Sequence, residues 1–472
     1  MARWRPDPTF YHSALSAMEA PPEELAYVAL LGVGKDRPDA LGVVDTRPDS
    51  PSFGRLIGQV DFPNSGNELH HFGWNACSSH LCPWSPNAHI ERRYLIVPGT
   101  HSSRIHVLDT KPDPRNPRLV KVIEGEEVMA RTGYAAPHTV HCGPDGVYMN
   151  ALGAVDGNGP GGIFVIDHET FEVKGRWESE RGPQYLSYDF FWHLGHDTLI
   201  TSEWGTPNMV TDGVNPELLL AGKYGHALHV WDMRTRRHQQ VIDLGKEQQM
   251  VLELRPAHNP RRPYGFVGVV VSLEDLSANV FLWYLDTTNG NGKRGGEWKA
   301  QKVITIPAEP ASPDQLPPIL KGFGAVPPFV TDINLSLDDR FLFVSCWGTG
   351  ELRQYDVTDP FNPVLVGSVR IGGIVRRTPH PLAPSRPLNG APQMVELSRD
   401  GKRAYITNSL YSPWDAQFYP DGIRGWMARV DVRPQGGIGL DSGFLLEFEE
   451  GLRPHQTRLE GGDASSDSFC FA

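Results

Sequence analysis

The chain has 472 residues, of which 39% are apolar, and its 44 basic and 56 acidic residues give a formal net charge of −12 at pH 7. The acidic balance disfavours nucleic acid and anionic membrane surfaces as partners, and the 49 Gly and 41 Pro exclude a coiled coil and most helical folds, because both residues interrupt helices. The 12 Trp, 14 Tyr and 20 Phe argue against disorder. A turn-rich all-β protein is the predicted class.

The N-terminal segment, residues 1–25, has no apolar core of the kind found in secretory signals. The longest apolar runs, YVALLGVG from Tyr27 and FVGVVVSL from Phe266, are far below the ~18 residues that a membrane span needs. We therefore expect a cytoplasmic protein with a small solute as its partner. The five cysteines are odd in number and scattered, which favours reduced thiols over a disulfide framework.

An apolar strand that ends in a polar or aromatic residue recurs along the whole chain. Its copies LGVVD, RIHVLD, GIFVID, LHVWD, VFLWY, LRQYD and ARVDV have their end residues at Asp45, Asp109, Asp167, Asp232, Tyr284, Asp356 and Asp431. A second apolar strand precedes most copies, so each repeat accounts for about four strands. Units of this kind arranged radially are the blades of a β-propeller. The pattern therefore predicts an all-β, seven-bladed β-propeller.

The two ends of the chain are predicted to complete one blade. A strand near His455 follows the seventh copy, and the strands between Tyr27 and Asp45 lack an inner partner. We expect pairing of these N- and C-terminal strands to close the ring. Pro- and Gly-rich stretches near residues 286–328 and 372–391 interrupt the repeat, and we interpret them as loop insertions in a single domain that spans residues 1–472.

Polar residues recur at an equivalent position near the start of each innermost strand. Aligning the repeats places there His71, His138, Asp189, Glu253, Asp332, Gln393 and His455. Because innermost strands line the channel of a propeller, these residues should surround one mouth of it. Three imidazoles and three carboxylates would be costly in a closed core without partners. The alignment therefore predicts a site for a cation or a polar substrate.

Two neighbouring histidines complicate the assignment. His70 precedes His71, and neighbours in a strand point to opposite faces, so only one of them faces the axis unless the backbone bends there. We favour His71. The same reasoning separates His138 from His141 in PHTVHC, since one should line the channel and the other should pack into the blade.

Cys77 lies in WNACSSHLC, just beyond the strand that carries His71. A cysteine in a polar loop can be a reactive thiolate where a cation lowers its pKa, and the alternative is a small buried residue. The residues alone do not choose between these two interpretations. Cys142 and Cys346 lie within strand patterns and are interpreted as core residues.

Several segments resemble the selenium-binding protein family, whose members include methanethiol oxidases. The similar segments are ELHHFGWNACSS, SSRIHVLDT, GGIFVIDHETFEVKGRWE, TSEWGTPN, LSLDDRFLFVSCW, GELRQYDVTDP, APQMVELSRDGKRAYITNSLYSPWDAQFYP and EGGDASSDSF. The resemblance runs from about Glu23 to the C-terminus, and it also implies a seven-bladed propeller. One departure is that the family's CSSC reads CSSH here, with His80 at the second cysteine position. Cys77 could instead pair with Cys82, or His80 could bind a metal.

The resemblance implies the oxidation of methanethiol by O2 and water to formaldehyde, hydrogen sulfide and hydrogen peroxide, with copper as cofactor. Imidazole ligands and a soft thiolate both suit copper. The expected copper ligands are His71, His138 and His455, with His70 and His141 behind them. Asp189, Glu253 and Asp332 are expected to accept protons or to orient ligands. Cys77, which matches the family's selenium-linked cysteine, is expected to hold a sulfur or selenium species near the site.

Two other functions remain open at this stage. In the first, the protein is a non-enzymatic carrier in which Cys77 binds selenium or another soft ligand. In the second, it is a propeller hydrolase whose channel Ca2+ is bound by the oxygen atoms of Asp189, Glu253 and Asp332. The three imidazoles argue against the hydrolase, because Ca2+ prefers oxygen ligands.

Overall fold

Four-stranded antiparallel sheets follow one another along the computed structural model, which describes residues 5–34, 36–288, 296–462 and 466–472. The first half of the chain forms strands β1 (Leu25–Gly32), β2 (Pro38–Asp45), β3 (Leu56–Ser65), β4 (Gly73–Trp74), β5 (Tyr94–Pro98), β6 (Ile105–Asp109), β7 (Arg118–Ile123), β8 (Tyr134–Cys142), β9 (Val147–Ala154), β10 (Gly162–Ile166), β11 (Val173–Arg176), β12 (Phe190–His193), β13 (Thr198–Thr201), β14 (Ala227–Asp232) and β15 (Arg237–Asp243). The second half forms β16 (Gln248–Pro256), β17 (Tyr264–Ser272), β18 (Ala278–Asp286), β19 (Glu297–Ile306), β20 (Glu309–Pro310), β21 (Ala325–Val326), β22 (Val330–Leu335), β23 (Phe341–Cys346), β24 (Glu351–Asp356), β25 (Val364–Arg370), β26 (Met394–Leu397), β27 (Arg403–Thr407), β28 (Trp426–Val432), β29 (Ile438–Glu447) and β30 (Leu452–Leu459). Short helices lie between them at α1 (Ala14–Met18), α2 (Gly125–Thr132), α3 (Pro207–Val210), α4 (Pro216–Leu220) and α5 (Ser412–Phe418).

The four-stranded sheets of the described residues are the seven blades of a β-propeller, as the repeat predicts. Blades 2 to 7 are β4–β7, β8–β11, β12–β15, β16–β19, β22–β25 and β26–β29, and blade 1 has the order β3-β2-β1-β30. The first strand of each of blades 2 to 7 lies innermost, and neighbouring innermost strands contact each other around the axis. Most strands of each blade are buried and apolar, since successive sheets pack face to face.

The ring closes where the two ends of the chain meet in blade 1. Strand β1 pairs on one side with β2 and on the other with β30, with Ala26 opposite Leu459 and Val28 opposite Thr457. The predicted closure by N- and C-terminal strands is confirmed. It makes β30 the innermost strand of blade 1, so a residue near the end of the chain lines the same channel as residues near its beginning.

The two predicted insertions have different structures. The first, near residues 286–328, contributes β19 to blade 5 before it leaves the ring in the β20–β21 hairpin, and its residues 289–295 lie outside the described residues. The second, residues 372–391, has no regular helix or strand in the described chain and carries one isolated bridge between Gly372 and Thr378.

The expectation of five reduced cysteines is wrong. Cys82 and Cys470 form a disulfide across a sequence separation of 388 residues. The spacing gave no sign of this bond because ring closure, rather than proximity in sequence, brings the C-terminal segment beside blade 2. A buried ion pair fixes the same segment, with the Asp467 carboxylate accepting two hydrogen bonds of 2.8 Å from the Arg92 guanidinium.

None of the helices in the described parts of the chain has the length and apolar character needed to cross a membrane.

Candidate functional site

Four imidazoles from three blades lie together on the channel axis. The Nδ1 atom of His70 is 3.3 Å from Nε2 of His138, and the ring of His70 stacks on that of His455 at 4.3 Å between centroids. The ring of His71 is 4.3 Å from that of His138 and 5.4 Å from that of His455. All four side chains are buried. The structure thus brings together the three predicted channel histidines and also His70.

Irregular backbone aims these side chains at the axis. Glu68, Ala136 and Met250 have positive φ angles of 55°, 56° and 65°, and they stand two or three residues before His70, His138 and Glu253. Positive φ is unfavourable for residues other than glycine and is concentrated at functional sites. The bend at Glu68, together with the late start of β4 at Gly73, turns both His70 and His71 toward the cluster, which is the exception that the sequence interpretation made for a bent backbone.

The innermost strands also carry β-bulges at the site. The pairing register shifts across Pro137–Val140 of β8, across Val251–Leu254 of β16, and across Pro454–Thr457 of β30, opposite Val28 and Leu30 of β1. A bulge inserts one extra residue and re-aims the neighbouring side chains. His138, Glu253 and His455 therefore lie at the three irregular positions.

Hydrogen bonds to the other ring nitrogen orient two of the imidazoles. Nδ1 of His455 donates to the carbonyl oxygen of Ser409 at 2.8 Å, which leaves the lone pair on Nε2. Nδ1 of His138 lies 3.3 Å from the Thr139 hydroxyl, which itself donates to the Tyr188 carbonyl. The Thr139 oxygen therefore accepts from His138, and the lone pair of His138 is also on Nε2.

His71 has the opposite tautomer. The Gln456 side-chain oxygen accepts from the backbone N–H of Phe72 at 2.7 Å, so its NH2 group faces Nδ1 of His71 at 3.0 Å and donates to it. The proton of neutral His71 is therefore on Nε2, which points at Oε1 of Glu253 3.5 Å away. This arrangement presents His71 as a donor to a carboxylate.

Burial controls the charge of the cluster. It lowers the pKa of His70, His71, His138 and His455 well below the usual value, and the neighbouring imidazoles lower three of these values further. The imidazoles are therefore neutral at pH 7. Burial and the nearby Asp189 also raise the pKa of Glu253. Arg255 opposes this shift, and the resulting pKa is about 7.

The predicted carboxylates differ in what they contact. Glu253 faces the cluster and accepts a hydrogen bond of 2.9 Å from the Tyr188 hydroxyl. Asp189 accepts from the backbone N–H of Leu254, and Asp332 accepts from that of Val395, so each ties its own innermost strand to the next blade. These bonds give the two aspartates a structural role that the sequence interpretation did not include.

Arg255 compensates the carboxylates below the histidine cluster. Its guanidinium lies 3.2 Å from Glu253, 3.3 Å from Asp332 and 3.8 Å from Asp189, with all four side chains buried. This pairing leaves no set of three free carboxylates for Ca2+ among these residues, which removes the structural basis of the hydrolase interpretation. Arg255 is two residues after Glu253, and residues two apart in a strand point to the same face. This spacing could have indicated from the sequence that Arg255 accompanies Glu253.

The remaining predicted residues lie outside the cluster. His141 packs its ring on Phe191 at 4.4 Å and has Nε2 3.6 Å from Oδ1 of Asp189, so it belongs to the interior between blades. Gln393 is buried in the ring, and neither of its side-chain amide atoms has a hydrogen-bond partner among the described residues.

Cys77 is a buried residue in the structure. Its side chain is 0% exposed, and its thiol contacts the carbonyl oxygen of Cys142 at 3.1 Å and the hydroxyl of Ser79 at 3.0 Å. Cys142 ends β8 four residues beyond His138, about 13 Å along an extended strand, so the Cys77 thiol contacts the end of β8 and makes no direct contact with an imidazole of the cluster. Burial raises the pKa of the Cys77 thiol, but hydrogen bonds with Cys142 and His80 outweigh it and lower that pKa to about 5.

The cluster has nitrogen atoms suited to a metal. Nε2 of His70 and of His455 is buried and makes no hydrogen bond within the described chain. The 3.3 Å between nitrogen atoms of His70 and His138 matches the edge of a tetrahedron around an ion with bonds of ~2.0–2.1 Å. Across the described ranges, no three His, Cys, Asp or Glu side chains are arranged around one ion position.

These features define a class of protein: a seven-bladed propeller whose channel holds a buried cluster of neutral imidazoles beside a carboxyl group. The profile of the 56kDa selenium binding protein family (SBP56) matches residues 4–470, and the chain belongs to this family. It is 41% identical to the methanethiol oxidase of Xenopus tropicalis and to that of Homo sapiens, with 97% of each chain covered in both comparisons. The structure of a hypothetical selenium-binding protein from Sulfolobus tokodaii superimposes with a TM-score of 0.94 at 53% identity, covering 99% of this chain and 100% of that one.

Proposed function

We propose that this protein is a copper-dependent methanethiol oxidase and that its reaction takes place at the four-histidine cluster. One observation carries the proposal: four neutral imidazoles meet on the channel axis, and two of them, His70 and His455, have a buried Nε2 that makes no hydrogen bond within the described residues. Buried polar atoms without partners are costly and mark places where a ligand belongs. The names of the relatives supply the substrate.

His70, His138 and His455 would hold the copper after rotation of their side chains brings the three imidazole nitrogen atoms around one ion position. Nδ1 of His138 donates to the Thr139 hydroxyl and Nδ1 of His455 donates to the Ser409 carbonyl, so the lone pair of each ring is on Nε2. Metal-binding histidines usually donate their other ring N–H in this way. His70 lies between those two rings. Bound copper supplies Lewis acidity toward the thiol sulfur and a redox couple for electron transfer to O2. This ligand set replaces His71 of the sequence interpretation with His70, because His71 has its proton on Nε2.

Glu253 would receive the thiol proton, and His71 would orient that carboxyl group by donating to it from Nε2. The Gln456 side chain orients His71, and the Tyr188 hydroxyl orients Glu253, so the two groups face each other in a buried site. A proton leaving the sulfur therefore has an acceptor that is positioned before the substrate arrives.

The overall reaction converts methanethiol, O2 and water, one molecule of each, into one molecule each of formaldehyde, hydrogen sulfide and hydrogen peroxide. The carbon–sulfur bond breaks, the carbon loses two electrons, and O2 gains them as hydrogen peroxide. Water provides the aldehyde oxygen, and sulfur leaves as hydrogen sulfide. The apolar walls beside the cluster, which include Trp204 and Tyr411, keep other solutes away from the imidazoles.

A selenium or thiol carrier is the second candidate, and Cys77 is the observation that favours it. The pKa of its thiol is lowered to about 5, and a thiolate is the form of cysteine that binds soft ligands. Such a carrier would not need the histidine cluster.

The test measures copper content and methanethiol-dependent hydrogen peroxide production in the same preparations. His138→Ala and His455→Ala should lose copper and activity together, whereas His71→Gln should retain copper and lose most of its activity. His89→Ala, at a solvent-exposed histidine, is the matched control and should retain both. Wild-type activity without bound copper would refute the proposed cofactor. Full activity and copper in His138→Ala, with capture of selenite lost in Cys77→Ser, would favour the carrier.

A further inference from the structure

A large apolar cavity opens beside the histidine cluster. Its volume is about 280 Å3, and its walls include Leu219, Val271, Ile319, Phe329 and Phe418. The indole N–H groups of two further lining residues, Trp347 and Trp414, donate to backbone carbonyls of Asn408 and Val210 and are therefore already satisfied. The surface presented to a ligand is almost entirely hydrocarbon.

The inner wall of this cavity is shared with the site. Trp204 lines it and has its ring 6.2 Å from that of His138 and 5.5 Å from that of Tyr188. Leu252, which also lines it, is bonded in sequence to Glu253. Trp204 and Leu252 thus form the boundary between the cluster and the cavity, and the carbon chain of a molecule with its sulfur at the imidazoles would pass beside them.

The outer end of the cavity is also apolar. Leu220 and Phe323 line it and are 62% and 40% exposed, so the apolar surface of the cavity continues to the solvent. Both belong to segments outside the blades: Leu220 ends α4, and Phe323 lies between β20 and β21. The mouth would therefore attract an apolar solute from water.

Methanethiol does not account for a cavity of this size. Its two heavy atoms occupy roughly the space of two water molecules, about 60 Å3. A closed apolar cavity of ~150 Å3 in another protein binds a six-carbon ring, and the cavity here, at about 280 Å3, is larger. The cavity therefore has room for a chain of at least six carbon atoms.

We infer that this protein accepts apolar thiols with chains of about six carbons, with sulfur at the imidazoles and the chain in the cavity between Trp204 and Phe323. The inference rests on the proposed function, whose reaction it extends: a primary thiol, O2 and water give the corresponding aldehyde, hydrogen sulfide and hydrogen peroxide in equal amounts. The thiol carbon is oxidised by two electrons as its bond to sulfur breaks, O2 is reduced to hydrogen peroxide, and water supplies the aldehyde oxygen. Each methylene that enters the cavity should improve binding roughly fourfold.

The experiment compares kcat/KM for methanethiol, 1-butanethiol, 1-hexanethiol and 2-(2-methoxyethoxy)ethanethiol, a polar thiol of similar length to the hexyl chain. The value for 1-hexanethiol should exceed that for methanethiol by about tenfold or more, and the polar thiol should not share this gain. Two variants fill the cavity, Leu219→Trp and Ile319→Trp, and Val364→Trp adds the same ring at a residue 60% exposed on blade 6. Filling should lower the ratio of hexanethiol to methanethiol kcat/KM about tenfold, and Val364→Trp should leave the ratio unchanged.

A second measurement does not depend on turnover. Methyl hexyl sulfide, which lacks a thiol hydrogen, should quench the fluorescence of the tryptophans around the cavity, and its Kd should rise about tenfold in both filling variants. Values of kcat/KM that are flat or fall with chain length, or a ratio unaffected by both variants, would overturn the inference while methanethiol oxidation stands. If no thiol yields hydrogen peroxide, the proposed function fails, and the claim that the cavity holds a thiol substrate fails with it.

Discussion

Removing the Cys82–Cys470 disulfide by Cys470→Ser should lower stability without changing the propeller. The bond closes a sequence separation of 388 residues, and the chain-entropy relation for a loop of that length gives about 6 kcal/mol at 25 °C as an upper value. A chain of 472 residues has an unfolding entropy of about 1 kcal/mol per degree near 60 °C. The expected fall in melting temperature is therefore up to about 6 °C, measured by calorimetry on protein purified without reductant.

Three controls keep the reasoning testable. Cys82→Ser should cost the same as Cys470→Ser, and the double variant should cost no more than either, because all three remove one bond. Reductant should lower the melting temperature of the wild type and leave that of the variants unchanged. Denatured, unreduced wild-type protein should show three free thiols, those of Cys77, Cys142 and Cys346. Five free thiols, or additive losses in the double variant, would refute the assignment.

Three further predictions concern buried groups. Asp467→Ala should destabilise the fold by about 3–5 kcal/mol in denaturant titrations, because it leaves the Arg92 guanidinium buried without its partner; a loss below ~1 kcal/mol would show that water reaches Arg92. Cys77 should resist iodoacetamide in the native protein despite its lowered pKa, since its side chain is 0% exposed, and mass spectrometry should find it modified only after unfolding. Burial raises the pKa of Asp39 to about 7 from an ordinary value of 3.8. Between about pH 4 and 7 the folded state therefore binds a proton that the unfolded state has lost, so the free energy of unfolding falls as the pH rises through this range. Asp39→Asn should flatten that dependence, and an unchanged slope would mean that other groups cause it.

The seven blades and their closure could be predicted because a propeller repeats one local pattern. The position that begins each innermost strand recurs in the sequence at every blade, so alignment of the repeats is sufficient to locate His71, His138, Glu253 and His455. Because the innermost strands surround the channel, residues at this position of each repeat lie close together around its axis.

The chemistry of individual side chains could not be predicted in the same way. Whether His71 binds a metal or donates to Glu253 depends on Gln456, which comes from the other end of the chain and is itself fixed by the N–H of Phe72. The bend at Glu68 could not be predicted, because the residue with positive φ there is a glutamate and not the glycine that usually indicates such a conformation. Contacts between distant blades decide tautomer and direction, and local sequence patterns carry no information about them.

Closure of the ring by β30 sets the order in which the protein can acquire its site during synthesis. His71 and Gln456 are 385 residues apart, so at about 5–20 residues per second the ribosome needs roughly 20–80 s to add the second after the first. Throughout that interval His455 does not exist, and the early imidazoles have no fixed arrangement. The proposed copper site needs the complete set of imidazoles, so it cannot form before β30 has been synthesised. Under the proposed function, oxidation of the thiol therefore begins only after the ring has closed.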